Sequence, residues 1–161
     1  MLVLDTTPAA KLRPDSAEHE VAVQRWVDRD PFAITAAVAF ELRYGLERRR
    51  GQRGWDLQRA YLDDLVDGGI LTVLPFDGRA SAVAAWLRAT HRTPPANASA
   101  KTDRRSKADS RVAWALDIQT AATVFVTGAS LASDDAHHGV LADELRVYGG
   151  GPAHDVVPAP F

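Results

Sequence analysis

Short apolar segments alternate along this chain with segments of helical length. Runs bounded by Pro, Gly or Asp predict strands over residues 1–4, 32–35, 70–74, 129–133 and, at the end, 145–148. Spaced apolar residues predict helices over residues 16–28, 36–50, 55–66, 79–89 and 116–127. Such alternation indicates a mostly parallel sheet of about four to five strands with helices on both faces. We therefore predict an α/β fold with a single domain over residues 1–148.

Two segments are predicted to lack regular structure. Residues 93–108 are rich in Pro, Ala, Ser and basic side chains, which favours a mobile basic loop within the domain. Residues 149–161 begin with three glycines and predict an irregular carboxyl-terminal tail. Asp77 is expected to cap the helix that follows it.

Composition narrows the possible chemistry. The chain has no cysteine, which excludes a disulfide framework, a thiolate nucleophile and a cysteine-ligated metal. The amino-terminal apolar run is too short for a signal peptide, and no later run approaches the roughly 18 residues of a membrane span. We therefore expect a cytoplasmic protein. The formal net charge of the chain is −2, whereas nucleic-acid-binding proteins are usually basic. The distribution of charged residues along the chain is therefore more informative than the net charge.

Acidic residues recur where predicted strands end. Asp5 follows the first strand, Asp134 and Asp135 follow a later one, Glu41 lies among apolar residues in the helix after the second strand, and Asp117 opens an apolar helix. In open α/β sheets, ligands bind outside the carboxyl ends of the strands. Together these acids predict a site for hard divalent cations, which prefer oxygen ligands. Two such cations can assist an in-line phosphoryl displacement.

Each acid also has a structural interpretation. Asp5 and Asp117 could equally be helix N-caps, and an Asp-Asp pair is commonly a solvated turn. Glu41 is harder to explain structurally, because an acid among apolar neighbours is costly unless it is paired or bound to metal. If the acids do cluster, their mutual repulsion should raise at least one pKa. The adjacent His137 and His138 could bind a metal, but a surface loop is the favoured interpretation.

Other enzyme classes lack their motifs. No glycine-rich loop follows the first strand, as nucleotide-binding folds would require. No G-x-S-x-G elbow is present, so nucleophilic catalysis has no candidate.

Four segments, in order, resemble a known family. They are MLVLDTTP, ITAAVAFELRYGLERR, VLPFDGRA and ALDIQTAATVFVTGASLASDD. Their combination resembles the PIN-domain ribonucleases of the VapC type, which are toxins of type II toxin–antitoxin systems. The resemblance covers roughly residues 1–148. The chain departs from the family pattern at Thr120, where an aliphatic residue is usual, and at Thr7, where Asn or Ser is commoner.

The resemblance implies a function and assigns residues to it. It implies an endoribonuclease dependent on Mg²⁺ or Mn²⁺, which forms a homodimer and is inhibited by a VapB-like antitoxin. Its catalytic and metal-binding acids would be Asp5, Glu41, Asp117 and Asp135, with Asp134 as an alternative to Asp135 for the fourth position. Thr6 and Ser133 would support the site.

Basic residues are candidates for holding RNA. Arg43, Arg104, Arg105 and Lys107 belong to two basic clusters whose contacts with phosphate would supply salt-dependent affinity. A solvated helix end and a disordered loop are the alternative interpretations. Two other functions stay open from sequence: a metal-dependent DNA nuclease, and a catalytically idle binding module that partners an antitoxin.

Overall fold

The computed structural model describes residues 1–14, 16–92, 107–149 and 154–161, with the backbone alone for residues 107–109. The described strands are β1 (Leu2–Leu4), β2 (Phe32–Thr35), β3 (Leu71–Leu74), β4 (Ser130–Ala132) and β5 (Val156–Val157). The described helices are α1 (Thr6–Ala9), α2 (Ala17–Val27), α3 (Ala36–Glu47), α4 (Trp55–Asp67), α5 (Gly78–Thr90), α6 (Lys107–Thr127) and α7 (Ala136–Gly149).

Within the described residues, five strands form one sheet in the order β3-β2-β1-β4-β5. Every neighbouring pair is parallel, so the predicted α/β fold class is confirmed. All carboxyl ends therefore meet at one edge of the sheet. The chain proceeds from β1 to β2 on one side, whereas β4 lies on the other side of β1. A crevice for ligands is expected where the strand order reverses in this way.

The central strands are buried on both faces, as expected for a parallel sheet covered by helices. Leu4 and Ile34 point to one side, where they pack with residues of α2, α3 and α4. Val3 and Leu131 point to the other side, where they meet Val124 of α6. A further apolar cluster joins α5, α6 and α7. The carboxyl edge of the sheet is thus held between two packed layers.

Local signals placed several helix ends correctly. Asp77 caps α5 by accepting a hydrogen bond from the backbone N–H of Ala80 at 2.9 Å. Gly128 has a φ of 65° directly after α6, a conformation that glycine adopts at little cost. No helix in the described part of the chain is long and apolar enough to cross a membrane.

The strand predicted over residues 145–148 is wrong, because this segment belongs to α7. The buried residues of α7 are His138, Leu141, Ala142 and Leu145. Their spacing of three, four and seven residues is that of one helix face. The apolar residues at the end of α7 resembled a short strand because the helical pattern of buried residues begins with a histidine, which hid its period.

The carboxyl-terminal tail was predicted to be irregular, and this is wrong where Val156 and Val157 form β5. They pair with Leu131 and Ala132 of β4. The backbone N–H of Ser133 also donates to the carbonyl of Val157 at 3.0 Å. The tail thereby secures the end of β4, which carries several of the candidate site residues.

Helix α6 begins earlier than predicted, at Lys107 instead of residue 116. Asp117 therefore lies within the helix and does not open it, which removes its interpretation as an N-cap. The extension is anchored by Trp114, which is buried and donates from Nε1 to the carbonyl of His91 at 2.9 Å. The predicted basic loop lies outside the described residues over 93–106.

The unusual Thr120 has a structural partner. Its hydroxyl and that of Thr35 are 3.0 Å apart, and both residues are buried. Thr35 ends β2 and caps α3 by accepting from the N–H of Val38 at 3.2 Å. The pair therefore joins α6 to the carboxyl edge of the sheet, one helical turn from Asp117.

Replacing Thr120 by Val should lower the free energy of unfolding by about 1–3 kcal/mol, because the Thr35 hydroxyl would be left buried without this partner. Urea denaturation measures the change. Thr123→Val is the matched control on the same helix. Among the described residues, the Thr123 hydroxyl bonds the carbonyl of Gln119 at 2.8 Å and no other group, so its loss should cost less. An equal or smaller loss for Thr120→Val would contradict the role given to the pair.

Candidate functional site

The carboxyl edge of the sheet collects acidic side chains from distant parts of the chain. Asp5 follows β1 directly, and Asp135 stands three residues after β4. Glu41 lies in the second turn of α3, the helix that begins at the end of β2. Asp117 reaches the same region from α6. The topology explains this convergence, since β1 lies between β2 and β4.

Asp5 has polar contacts with three other residues of this region. Its Oδ1 accepts from the backbone N–H of Thr6 at 2.7 Å, and its Oδ2 accepts from the Ser133 hydroxyl at 2.6 Å. The Nε2 atom of His138 lies 3.5 Å from the same Oδ2. The side chain of Asp5 is only 14% exposed, so these groups replace most of its hydration.

Thr6 links Asp5 to Glu41. Its backbone N–H donates to Asp5, while its hydroxyl donates to Oε2 of Glu41. One threonine thus connects the end of β1 with α3. The strand-end Asp5 and the helical Glu41, which lies among apolar residues, therefore both accept a hydrogen bond from Thr6.

Asp117 and Asp135 meet at a histidine. The Nδ1 atom of His137 lies 3.6 Å from Oδ2 of Asp117 and 3.6 Å from Oδ1 of Asp135. The two carboxylate oxygens are therefore no further apart than twice that distance. Asp135 also connects to Asp5, because its backbone N–H donates to the Ser133 hydroxyl at 3.1 Å.

Asp134 and Asp135 have different surroundings, although they are neighbours in sequence. Oδ1 of Asp134 accepts from the backbone N–H of Ala159 in the tail at 3.3 Å. Oδ1 of Asp135 accepts from the N–H of His137 at the start of α7, at 2.9 Å. Asp134 thus contacts the tail beside β5, whereas Asp135 contacts the residues around Asp5. This geometry favours Asp135 over Asp134 as the fourth acid.

The two histidines were predicted to lie in a surface loop, and this is wrong. Both belong to the first turn of α7, and His138 is 1% exposed. The signal that could have found them is the helical spacing of His138 with Leu141, Ala142 and Leu145, which places the imidazole on the buried face. This spacing was not recognised in the sequence because the Asp-Asp-Ala-His-His segment contains almost no apolar side chains.

The histidines change the electrostatics of the acids. Burial is the largest influence on the pKa of Asp5 and raises it, but the hydrogen bond and charge of His138, with the Ser133 and Thr6 bonds, lower it more. The net pKa of Asp5 is lowered, opposite to the shift expected from crowded acids. Burial lowers the pKa of His138, yet its contacts with Asp5 outweigh burial and raise it.

His137 shows the same balance. Its interaction with Asp117 is the main cause of a raised pKa, burial opposes this, and the charge of Asp135 adds to the rise. Each histidine therefore holds its proton more firmly because an acid lies beside it. When protonated, the two rings place positive charge beside carboxylates that would otherwise repel one another.

The donor chemistry suits a hard cation, although the described part of the chain offers no compact cage. In the described residues, no three His, Asp or Glu side chains are grouped closely enough to hold a metal ion as they stand. Mg²⁺ does not need such a cage, since it usually binds one or two carboxylates and keeps several waters. The carboxylate oxygens of Asp5, Glu41, Asp117 and Asp135 are donors of the type that Mg²⁺ and Mn²⁺ prefer.

The candidate RNA-binding residues are placed only in part. Arg43 forms an ion pair with Asp63 of α4, with Nη1 and Oδ1 2.5 Å apart. Arg104 and Arg105 lie outside the described residues, and Lys107 is the first residue of α6, with its side chain outside them. The role of these residues therefore stays a prediction.

Comparison with known proteins identifies the fold. Residues 2–144 match the sequence profile of the PIN domain. VapBC2 from Rickettsia felis, solved with a DNA fragment from its promoter, aligns with a TM-score of 0.60 at 14% identity, covering 98% of this chain and 97% of that chain. FitAcB from Neisseria gonorrhoeae aligns with a TM-score of 0.58 at 22% identity, covering 99% and 98%.

A third solved structure gives the same result. DNA-bound VapBC from Salmonella typhimurium aligns with a TM-score of 0.57 at 16% identity, covering 98% of this chain and 97% of that chain. At such identities the likeness establishes the fold and leaves the activity to be argued from the site. Comparison with curated protein sequences found no match.

Proposed function

The chain belongs to the PIN domain family, a family of nuclease-type hydrolases, and we propose that it is a metal-dependent endoribonuclease acting as the toxin of a toxin–antitoxin pair. The observation that carries the proposal is the hydrogen-bonded series Glu41–Thr6–Asp5–Ser133 at the carboxyl edge of the sheet. It holds two acids in fixed relation at the point where α/β sheets bind ligands. Asp117 and Asp135 stand beside it across His137.

In this proposal, Asp5, Glu41, Asp117 and Asp135 hold Mg²⁺ or Mn²⁺. Bound there, such ions would supply activation of the attacking water and neutralisation of charge at the phosphate. The chain's own residues fix the acids. Ser133 and the backbone of Thr6 orient the Asp5 carboxylate, and the Thr6 hydroxyl orients Glu41. His137 is placed to hold a proton between Asp117 and Asp135.

The likeness of the fold to VapBC and FitAcB supports an antitoxin partner. We propose a VapB-like antitoxin, a homodimeric nuclease and action in the cytoplasm on RNA. Co-expression of the reading frame immediately upstream should yield a complex in which cleavage is silenced. A short upstream frame with a DNA-binding amino end would support the pairing, and persistent cleavage in the complex would argue against it.

We expect the protein to cut single-stranded RNA with Mg²⁺ or Mn²⁺ and to stop when EDTA is added. Asp117→Asn should cut at least about 100-fold more slowly, because a charge-stabilising carboxylate is worth several kcal/mol at such a site. It should also lose most of the rise in melting temperature that the metal gives the parent, since a ligand stabilises the fold that binds it.

Asp143→Asn provides the control, because Asp143 is an exposed residue of α7 that pairs only with Arg146 among the described residues. It should retain both cleavage and the metal response. Parallel assays with DNA oligonucleotides separate a DNA nuclease from the proposed enzyme. A parent protein that binds RNA but cuts neither nucleic acid under any metal condition would indicate the idle binding module instead.

A further inference from the structure

Helix α3 carries two exposed aromatic rings beside Glu41. Phe40 is 52% exposed and Tyr44 is 54% exposed. Their rings are 5.9 Å apart between centroids and nearly parallel, at 6°. Large side chains exposed in this way lose burial energy, so a pair held face to face on the surface requires an explanation.

The pair continues into a basic residue. The guanidinium carbon of Arg48 lies 5.9 Å from the centroid of the Tyr44 ring. Phe40, Tyr44 and Arg48 are spaced four residues apart, so they form a row along one side of α3. We call this row the aromatic strip.

The strip leads to the candidate site. Glu41 and Arg48 are seven residues apart, which is about two helical turns, so they lie on nearly the same side of α3. Helical side chains tilt towards the amino terminus of their helix, which for α3 is the carboxyl edge of the sheet. Phe40 is therefore the member of the strip nearest the acids.

Arg48 has no acidic partner among the described residues. Arg43 and Arg50 are paired with Asp63 and Glu47, and Arg49 donates from Nε to the carbonyl of Gly45. The guanidinium of Arg48 lies over the Tyr44 ring. Its positive charge thus remains available for a phosphate, next to two rings whose planes can stack with bases.

We propose that the aromatic strip of Phe40, Tyr44 and Arg48 is a stacking platform for one or two bases of single-stranded RNA flanking the scissile phosphate. Single-stranded nucleic acids are typically bound by positive charge that tracks the backbone and aromatic rings that stack with bases. The charge complementarity favours RNA over an apolar protein surface. This inference rests on the proposed function, and it assigns that site a means of positioning its substrate.

The test measures binding in EDTA, so that cleavage does not interfere. A single-stranded RNA oligonucleotide carries 2-aminopurine, whose fluorescence falls on stacking, and a terminal dye for anisotropy. Phe40→Ala and Tyr44→Ala should each weaken binding about tenfold and abolish part of the quenching. The double variant Phe40→Leu/Tyr44→Leu keeps apolar bulk without aromatic faces. Like the alanine variants, it should bind RNA more weakly and quench the fluorescence less.

Trp26→Ala is the matched control, because Trp26 is another exposed aromatic residue, 45% exposed, on α2. It should leave binding and quenching unchanged, and melting temperatures should confirm that every variant is folded. Arg48→Ala should lower the slope of log affinity against log salt by about 0.7, the value for one phosphate contact on a single strand.

Two outcomes overturn the inference while the proposed function stands. In one, the parent binds and cuts RNA and the strip variants match it in affinity and quenching. In the other, sedimentation shows that the variants lose a dimer while quenching persists, which makes the strip an interface between copies. A parent that neither binds nor cuts RNA would overturn the proposed function itself, and the platform with it.

Discussion

Asp5→Asn is expected to reduce metal-dependent RNA cleavage by about 1,000-fold or more, corresponding to several kcal/mol of lost charge stabilisation. Asp5 has polar contacts with Thr6, Ser133 and His138. Asparagine keeps the shape and one acceptor oxygen, so the change removes mainly the charge. Initial rates at saturating RNA, with Mg²⁺ or Mn²⁺, measure the effect.

The same variant tests the electrostatic role of the histidines. Because the pKa of Asp5 is lowered in the fold, its ionised carboxylate stabilises the protein above its ordinary pKa of 3.8, and this stability is lost as the pH falls through the folded value. Asp5→Asn should therefore melt at a lower temperature than the parent at neutral pH in chelator. A higher melting temperature would indicate that repulsion among the acids dominates instead.

Asp134→Asn is the matched control for Asp5→Asn. Asp134 also follows a central strand, but it accepts its hydrogen bond from Ala159 in the tail. Its neutralisation should change cleavage by no more than about twofold, as for a surface substitution. Should Asp134→Asn remove as much activity as Asp5→Asn, the choice of Asp135 as the fourth acid would be wrong.

A large pH-dependent change in stability is expected from His154. This residue precedes β5 and is 6% exposed, and neither ring nitrogen has a hydrogen-bond partner among the described residues. Burial, with the nearby charges of His138 and Arg146, lowers its pKa from 6.5 to about 4, although Asp155 opposes the shift. The folded protein therefore keeps this ring neutral at a pH where the unfolded chain protonates it.

The unfolded state then binds more protons between pH 6.5 and about 4, so stability falls as the pH drops through this window. Between about pH 7.5 and about pH 4.5, His154 should contribute a loss of about 2–3 kcal/mol. His154→Leu removes this contribution. The difference in unfolding free energy between parent and variant, from urea titrations at both pH values, should shift by that amount in favour of the variant at low pH.

His137 and His138 also change protonation with pH, and their pKa values are raised in the fold by the neighbouring acids. They are present in both proteins, so most of their effect cancels in the difference. If the difference in unfolding free energy between parent and variant stays constant with pH, His154 is protonated in the fold or reaches water.

Local sequence patterns were sufficient for much of the fold. The apolar runs that became β1 to β4 were recognised because buried parallel strands need continuous apolar residues. The Asp77 cap of α5 and the end of α6 at Thr127 were predicted because such signals depend on a few neighbouring residues. The positions of Asp5, Asp134 and Asp135 at strand ends follow from the same segments. Because strands alternate with helices, the sheet was predicted to be parallel, and the carboxyl ends of its strands were expected to lie at one edge.

Patterns that mix polar and apolar residues misled prediction. Helix α7 carries a histidine on its buried face, so its helical period was obscured and its last turn resembled a strand. Strand β5 has only two residues, too few to show a period. Both elements are stabilised by contacts with distant segments, which no local window contains.

Local patterns in the sequence predict the fold class and identify the acids, because burial periodicity and strand ends are local properties. The partners of those acids depend on packing between distant segments. His138 meets Asp5, His137 lies between Asp117 and Asp135, and Thr120 meets Thr35. The pKa of a carboxyl depends on charges and donors within a few ångströms, whatever their separation along the chain. The electrostatic state of the site is therefore set by packing, which brings α6 and α7 against the end of the sheet.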